Sequence, residues 1–168
     1  MKRLLTTVTL IIFGTQVNSA DWCKDKYVGF DRGYCFEFNN DYISALKIMK
    51  PLAEKGHPGA QQRMGYMYQY GTGVLKDYTE ALRWYRKSAE QGKKEAQTDI
   101  GVIYENGLGV LKDNITAHMW YNIASANGGR RASRWRNELE AKMTNIDISK
   151  ATAMAKECMK SDYKKCGY

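Results

Sequence analysis

The sequence predicts an all-α protein, a short right-handed α-solenoid of helix-turn-helix repeats. The first observation is an internal repeat, in which the stretch Ala60–Gly92 recurs 36 residues later as Ala96–Gly128. A fixed period of this length is typical of a repeat array. The second observation is that each copy holds two apolar segments with helical spacing, separated by a glycine-rich tract. Because one helix pair cannot bury its apolar face alone, neighbouring copies are expected to stack.

The N-terminal segment, residues 1–20, resembles a secretory signal peptide. Lys2 and Arg3 precede the apolar run Leu4–Phe13, and small residues follow. The apolar run is too short to span a bilayer comfortably. We therefore expect export, and a location in the periplasm or outside the cell after the signal peptide is removed.

Residues 21–40 are rich in aromatic residues and glycine and show little periodicity. They are interpreted as an irregular N-terminal cap that a disulfide pins over the first helix. Their surplus of aromatic side chains leaves open a second interpretation, a loop that contacts a partner.

The chain has four cysteines, and an even number in an exported protein suggests disulfides. Three pairings are possible. Short loops close most easily, which favours Cys23–Cys35 and Cys158–Cys166, one pair at each end of the array. A zinc or redox pair at Cys23 and Cys35 is the weaker alternative, because neither a C-x2-C motif nor a nearby histidine is present.

Residues 41–59 are predicted to be a partial repeat. Asp41 and Gly56 stand one period before Asp77 and Gly92, which indicates the second helix of an incomplete copy. Pro51 falls inside this helix, where a proline removes a backbone hydrogen bond. We expect the helix to kink or to begin there.

The complete repeats, residues 60–95 and 96–131, each begin with a helix whose apolar stripe is Ala60, Met64 and Tyr68 in the first copy. Glycines then end this helix, since glycine readily adopts positive φ.

The second helix of the repeat is predicted to begin at Asp77, whose carboxylate can cap free backbone N–H groups. Trp84 and Tyr85 lie on its buried side, and Gly92 is placed to end it. The equivalent residues of the next copy are Asp113, Trp120, Tyr121 and Gly128.

The combined pattern is A-x3-L/M/I-G-x2-Y-x2-G-x-G-V-x2-D-x3-A-x2-W-Y-x6-G. It resembles the Sel1-like repeat, a relative of the tetratricopeptide repeat, over about residues 41–160. Residues 132–168 resemble the helices that close such arrays. There Trp135, Leu139 and Met143 are spaced to cover the last repeat, and Thr144 is a candidate N-cap of the final helix.

The sequence offers no catalytic constellation. The two histidines, His57 and His118, lie in a loop and on a repeat helix, and packing is the favoured role of His118. The glycine tracts recur at the same place in each copy and lack the following Gly-Lys-Ser/Thr of a phosphate-binding loop. We therefore predict no catalytic residue, no metal site and no cofactor, and we do not expect an enzyme.

Helical angles place a mixed polar and aromatic surface on the first helices, which are expected to line the concave face. We predict that this surface binds another protein. Tyr66 is the expected anchor, because its repeat mate is Val102 whereas the core positions around it agree. The predicted contact residues are Gln62, Tyr66, Gln69, Thr98, Val102, Glu105, Arg134 and Glu138.

The formal net charge is +8, and the basic residues concentrate towards the C-terminal end. A solvated helix face is the default interpretation of such a cluster. An acidic partner or an anionic membrane surface is the functional alternative. Nucleic acid is not expected as a partner of an exported protein.

Resemblance to Sel1-like proteins implies a non-catalytic binding protein of the bacterial envelope. Some exported members are immunity proteins, which neutralise antibacterial effectors such as phospholipases, and others are adaptors or regulators. The alternative is a β-lactam-binding or β-lactam-hydrolysing protein, as in cysteine-rich relatives. Those relatives carry a cysteine pair within each repeat, whereas the repeats of this chain contain none. The sequence leaves the oligomeric state open.

Overall fold

A computed structural model describes residues 23, 24 and 26–166. The predicted signal peptide lies outside these residues. The described part of the chain forms eight helices with defined bounds and no strand. In order, they are α1 (Gly29–Phe38), α2 (Tyr42–Glu54), α3 (Pro58–Tyr70), α4 (Tyr78–Ala89), α5 (Lys94–Asn106), α6 (Asn114–Ala126), α7 (Arg130–Glu140) and α8 (Asn145–Lys160).

The helices form two layers. Each helix from α1 to α6 packs against the next, and α6 also packs against α8. Because short turns join consecutive helices, neighbours run antiparallel. The first helices of the pairs (α1, α3, α5 and α7) therefore form one layer, and the second helices (α2, α4, α6 and α8) form the other. This is the predicted all-helical solenoid.

The helices of each repeat begin and end at the residues that the sequence predicts. Asp77 accepts hydrogen bonds from the N–H groups of Thr79 and Glu80 at 2.9 and 3.0 Å, and Asp113 caps α6 in the same way. Gly71 ends α3 in the left-handed conformation, with φ of 72°, which a side chain would strain.

A close contact between a glycine and a tyrosine sets the spacing of each helix pair. A Cβ atom added to Gly65 would lie 2.5 Å from the ring of Tyr85, and one added to Gly101 would lie 2.4 Å from the ring of Tyr121. The two tyrosines are fully buried. The second helix can therefore lay its ring on the backbone of the first only because the first has no side chain there.

The hydroxyl groups of these tyrosines donate hydrogen bonds to the first helix of the same pair. Tyr85 donates to Gln69 Oε1 at 2.7 Å, and Tyr121 donates to Glu105 Oε2 at 2.7 Å. Burial raises the pKa of Tyr85 well above its ordinary value. The hydroxyl therefore stays protonated and remains a donor.

Within the N-terminal cap, Gly29–Phe38 is helical, and the prediction of an irregular segment was wrong there. Helix α1 packs against α2 and completes the pair that the sequence showed only in part. Its buried residues include the contiguous run Cys35–Glu37, in which the carboxylate of Glu37 pairs with Arg63. Because a buried charge interrupts the apolar residues, the segment lacks the spacing by which a helix is recognised.

Helix α2 does not begin at Pro51 but continues through it to Glu54. Pro51 and Lys47, whose carbonyl loses its usual N–H partner, are both exposed. Water can therefore hydrate that carbonyl, which reduces the cost of a proline inside the helix.

Both predicted disulfides, Cys23–Cys35 and Cys158–Cys166, are present, and no cysteine is free. Thr144 caps α8 by accepting from the N–H of Asp147 at 3.2 Å, as predicted. The disulfides indicate a non-cytoplasmic, oxidising compartment. No helix within the described residues is long and apolar enough to span a bilayer.

The two repeat tryptophans allow a test of the core. Trp84 and Trp120 are both buried. Replacing either by alanine should lower the free energy of unfolding by about 3–5 kcal/mol, because the change leaves a large cavity. A domain of this size has only about 5–15 kcal/mol in total. Urea unfolding followed by circular dichroism measures the change. Leu111→Ala, at an exposed position, is the control, and tryptophan variants as stable as this control would contradict the assignment of the core.

Candidate functional site on the first-helix face

The exposed surface of α1, α3, α5 and α7, called here the first-helix face, contains most of the residues predicted to bind a partner. Side chains bridge its neighbouring helices. Arg63 of α3 pairs with Glu37 of α1, and Gln62 of α3 donates to Asp99 of α5 at 2.7 Å. These bridges fix the lateral order of the helices and thus the order of groups across the face.

An arginine held between tyrosine rings forms the N-terminal half of the face. The guanidinium of Arg63 lies 5.3 Å from the ring centroid of Tyr34 and 4.7 Å from that of Tyr66. Tyr66 in turn lies 4.5 Å from Tyr70, measured between centroids. Together with Glu37, these residues are called the Arg63 cluster.

Glu37 fixes the guanidinium of this cluster. Arg63 Nε donates to Glu37 Oε2 at 2.7 Å, and Nη2 donates to Oε1, while Glu37 itself is buried. Burial disfavours the charged form of Arg63, but the hydrogen bond and charge of Glu37 outweigh it and raise the pKa of Arg63 above its ordinary value. The arginine is therefore charged and held in one orientation.

Two cavities open beside the cluster. The smaller, of about 140 Å³, is lined by Tyr34, Glu37, Phe38, Tyr42, Arg63 and Tyr66. The larger, of about 400 Å³, extends from Phe30 across Gln62 to Lys93 and Glu95. Aromatic walls with one fixed guanidinium can accept an apolar or amide side chain that projects from a partner.

Asp99 occupies the middle of the face, at the repeat position of Arg63. Burial raises the pKa of Asp99 to about 6, although the hydrogen bond from Gln62 and the charge of Arg131 oppose the shift. The carboxyl group therefore changes its charge in mildly acidic solution.

The C-terminal half of the face is formed by α7. Arg131 lies over the ring of Trp135, 5.3 Å from the centroid. Arg134 and Glu138 are exposed and approach each other to 3.6 Å, as an i,i+4 ion pair. Such a pair adds little stability, and both groups remain accessible to a partner.

Three of the predicted contact residues are buried, which corrects their expected exposure. Gln62 donates to Asp99, Gln69 accepts from Tyr85, and the hydroxyl of Thr98 donates to the Lys94 carbonyl at 2.7 Å. Helical spacing predicts the side of the helix on which these residues lie. It does not predict the hydrogen bonds within the chain that bury their side chains.

The remaining predicted residues are placed as follows. Tyr66 is half-buried within the Arg63 cluster, and Val102 is half-buried against α7. Glu105 is half-buried and accepts from Tyr121, and Arg134 and Glu138 are exposed. Contact of these five residues with a partner stays a prediction.

Sequence reasoning missed Arg63 and Asp99 on this face, and it assigned Trp135 only to packing over the last repeat, which the contact of Trp135 with Tyr121 confirms. The three occupy one repeat position, since each is 36 residues from the next. The same position thus holds a base, an acid and an aromatic residue. Such variation at one position of a regular array was a usable signal, because packing alone favours similar residues in every copy.

Both histidines have structural partners. His57 caps α3 by accepting from the N–H of Ala60 at 3.1 Å, and the buried His118 lies 2.8 Å from Glu140, between Nε2 and Oε1. No group of three or more potential metal ligands lies together in the described part of the chain.

The family model of the Sel1 repeat matches residues 58–93 and 94–129. The chain contains two Sel1 repeats. Sel1 repeats are scaffolds for protein–protein interaction, which is consistent with a non-catalytic binding role. No match was found among curated proteins.

Two solved structures share the fold. One is c5321, a protective antigen of uropathogenic Escherichia coli with an SLR fold, at a TM-score of 0.73 and 28% identity over 88% of this chain. The other is a Sel1 repeat protein from Oxalobacter formigenes, at a TM-score of 0.65 and 32% identity over 80% of this chain. The chain spans 32% and 56% of the lengths of these two proteins.

The raised pKa of Asp99 predicts how stability depends on pH. An unfolded aspartate ionises near pH 3.9, whereas folded Asp99 ionises near pH 6, so the contribution of Asp99 to the stability of the wild-type protein falls as the pH rises through this window. Asp99→Asn keeps the acceptor for Gln62 but cannot ionise. Relative to wild type, the variant should therefore gain up to about 3 kcal/mol between pH 4 and pH 7.

Urea unfolding at several pH values measures this difference. A constant difference between the two proteins from pH 4 to pH 7 would contradict the raised pKa of Asp99.

Proposed function

We propose that this chain is a non-catalytic protein-binding protein of the bacterial periplasm and that the first-helix face is its binding surface. The observation that carries the proposal is the Arg63 cluster. Tyrosine and arginine are enriched among the residues that contribute most to binding. Arg63 is already fixed by Glu37 and the tyrosine rings. It therefore loses little conformational freedom when a partner binds.

The composition of the first-helix face restricts which chemical groups a partner can present to it. Its N-terminal half presents aromatic rings and two cavities, and its C-terminal half presents Arg131, Arg134 and Trp135. A partner that inserts an apolar side chain at the first half and offers carboxylates to the second half would complement both. A folded protein can supply both kinds of group at once, whereas a small ligand reaches only one half of the face.

The narrower role that we propose is that of an immunity protein, which binds and neutralises a secreted antibacterial effector such as a phospholipase. Two features support it: a short array with disulfide-closed ends suits a dedicated inhibitor, and the N-terminal segment resembles an export signal. An envelope regulator is the other class of protein partner that would use the same face.

The alternative of β-lactam binding or hydrolysis gains no support from the position of the disulfides. Both lie outside the two Sel1 repeats. Turnover of a β-lactam by the purified protein would contradict the non-catalytic proposal.

The proposal predicts a specific effect of Tyr66→Ala. The protein is used as bait in an envelope extract, and each captured protein is then purified for a binding measurement. Tyr66→Ala should weaken binding about tenfold or more, because truncating a central aromatic anchor costs at least about 2 kcal/mol. The melting temperature should change little, since the ring is half-buried at the surface.

Arg83→Ala is the matched control. Arg83 also pairs with a glutamate, Glu80, and lies over an aromatic ring, that of Trp84, but it belongs to the second-helix layer. Its substitution should leave the affinity unchanged. Equal affinities of wild type and Tyr66→Ala, or a loss caused only by Arg83→Ala, would move the binding surface away from the first-helix face. If the role is immunity, binding of this chain should also inhibit the toxic activity of the captured partner.

A further inference from the structure

Two cavities lie at successive junctions of the array. The first junction cavity is the one of about 400 Å³ beside the Arg63 cluster, where the start of α5 meets α3 and α1. The second junction cavity has a volume of about 450 Å³ and lies where the start of α7 meets the start of α5. Its lining includes Lys94, Glu95, Thr98, Gly129, Arg130 and Arg131.

The two cavities are the same feature in successive copies of the repeat. Four lining positions of the first cavity stand 36 residues before four lining positions of the second. The pairs are Gly59 and Glu95, Gln62 and Thr98, Lys93 and Gly129, and Glu95 and Arg131. Because equivalent helix packing forms both cavities, their linings differ in chemistry at an equivalent place in the array. Glu95 lines both, so the two cavities adjoin.

Charge distinguishes the two linings. The first junction cavity is lined by two acids and two bases and is neutral; these are Asp31, Glu95, Arg63 and Lys93. The second is lined by one acid, Glu95, and by three bases, which gives it a net charge of +2; the bases are Lys94, Arg130 and Arg131.

Two charged groups next to the second junction cavity leave this balance unchanged. Lys93 Nζ pairs with Glu95 Oε2 at 3.1 Å, and Asp99 of α5 interacts electrostatically with Arg131. At neutral pH one of these neighbours is positive and the other negative. The cavity and its neighbours together therefore keep a net charge of +2, which attracts an anionic group.

A glycine keeps the second junction cavity open. Gly129 stands where the preceding copy has Lys93. A Cβ atom added to Gly129 would lie 2.7 Å from the carbonyl oxygen of Ala124, a contact that the backbone does not allow. The position therefore has no side chain, and the space that a lysine takes in the preceding copy is available to a ligand.

The three bases of this cavity are placed to receive such a ligand. Lys94 Nζ donates to the Gly128 carbonyl at 3.2 Å, which holds the ammonium group at the cavity wall. Arg130 and Arg131 are exposed, and neither forms an ion pair with another described residue. Their guanidinium groups can therefore donate to an incoming carboxylate, in the bidentate geometry that arginine favours.

We propose that the two junction cavities are adjoining subsites for one extended segment of the protein partner. The first takes an apolar side chain against Phe30 and Tyr34, and the second takes a carboxylate that Arg130, Arg131 and Lys94 bind. This inference rests on the proposed function, because it specifies how the first-helix face recognises a protein.

The spacing of the subsites restricts the segment further. Packed helices stand about 8–10 Å apart, and an extended chain advances about 3.3 Å per residue. One repeat spacing therefore corresponds to about three residues. The partner segment should carry an aspartate or a glutamate about three residues from an aromatic or aliphatic residue.

Selection from a library of short random peptides displayed on phage tests this pattern without the natural partner. The library is selected in parallel on the wild type and on the double variant Arg130→Gln with Arg131→Gln. The wild type should enrich peptides with the predicted pair of residues, and the double variant should keep the apolar preference and lose the acidic one. No acidic enrichment on the wild type, or equal acidic enrichment on both proteins, would overturn the inference.

Affinities of a synthetic acidic peptide from this selection test the contact itself. The double variant should bind the peptide about tenfold more weakly than the wild type does, and added salt should weaken wild-type binding. Lys156→Gln with Lys160→Gln is the matched control, since it removes two exposed positive charges from α8, in the other layer. An equal loss in this control would show unspecific attraction and contradict the assigned site.

A charge exchange gives a readout that a general loss of binding cannot produce. The same peptide with its acidic residue replaced by lysine should bind Arg131→Glu better than it binds the wild type. The opposite order would remove Arg131 from the site. Binding of inorganic phosphate to the wild type, without binding of acidic peptides, would also overturn the inference and assign the cavity to a free anion.

The protein captured from envelope extract separates this inference from the proposed function. A captured protein that depends on Tyr66 should also bind the arginine double variant about tenfold more weakly. If it depends on Tyr66 but binds the double variant as tightly as the wild type, the inference fails and the proposed function stands. If it depends on neither, both fail.

Discussion

The contact of a tyrosine ring with a glycine backbone determines the spacing within the two repeat pairs. At Gly65 and Gly101 a methyl group would overlap the ring of the facing tyrosine. The ring buries a large apolar area, and its hydroxyl bonds to the same first helix one turn further on. Any larger residue at the glycine would push the helices apart, and the buried tryptophans, the hydroxyl bonds and the turn geometry would change with them.

This constraint also positions the candidate site. Because the second helices lock the first ones at fixed spacing, the face of α3 meets α1 on one side and α5 on the other. Arg63 then reaches Glu37, and Gln62 reaches Asp99. The glycine, tyrosine and tryptophan of the helix pair are the same in both repeats, whereas the position shared by Arg63, Asp99 and Trp135 differs in each copy. The array thus keeps its packing constant and varies the chemistry on its open face.

The features that depend on local chemistry could be predicted from the sequence. Asp77 and Asp113 as N-caps, the glycines that end the first helices, the buried tryptophans and the short disulfide loops follow from residue type and spacing. Helix α1 and the Arg63 cluster did not follow, because both depend on a contact between Glu37 and a residue 26 positions away. The burial of Gln62, Gln69 and Thr98 likewise depends on partners that spacing does not identify.

The most direct test of the central constraint is a double-mutant cycle between Gly101 and Tyr121, measured by urea unfolding. In the wild-type background Gly101→Ala should destabilise the protein by about 1–3 kcal/mol, although alanine favours a helix over glycine by about 1 kcal/mol. In the Tyr121→Val background the ring atoms nearest to the new methyl group are absent. There the same substitution should be neutral or stabilising. An equal loss of stability in both backgrounds would show that the ring does not set the spacing and would contradict this account.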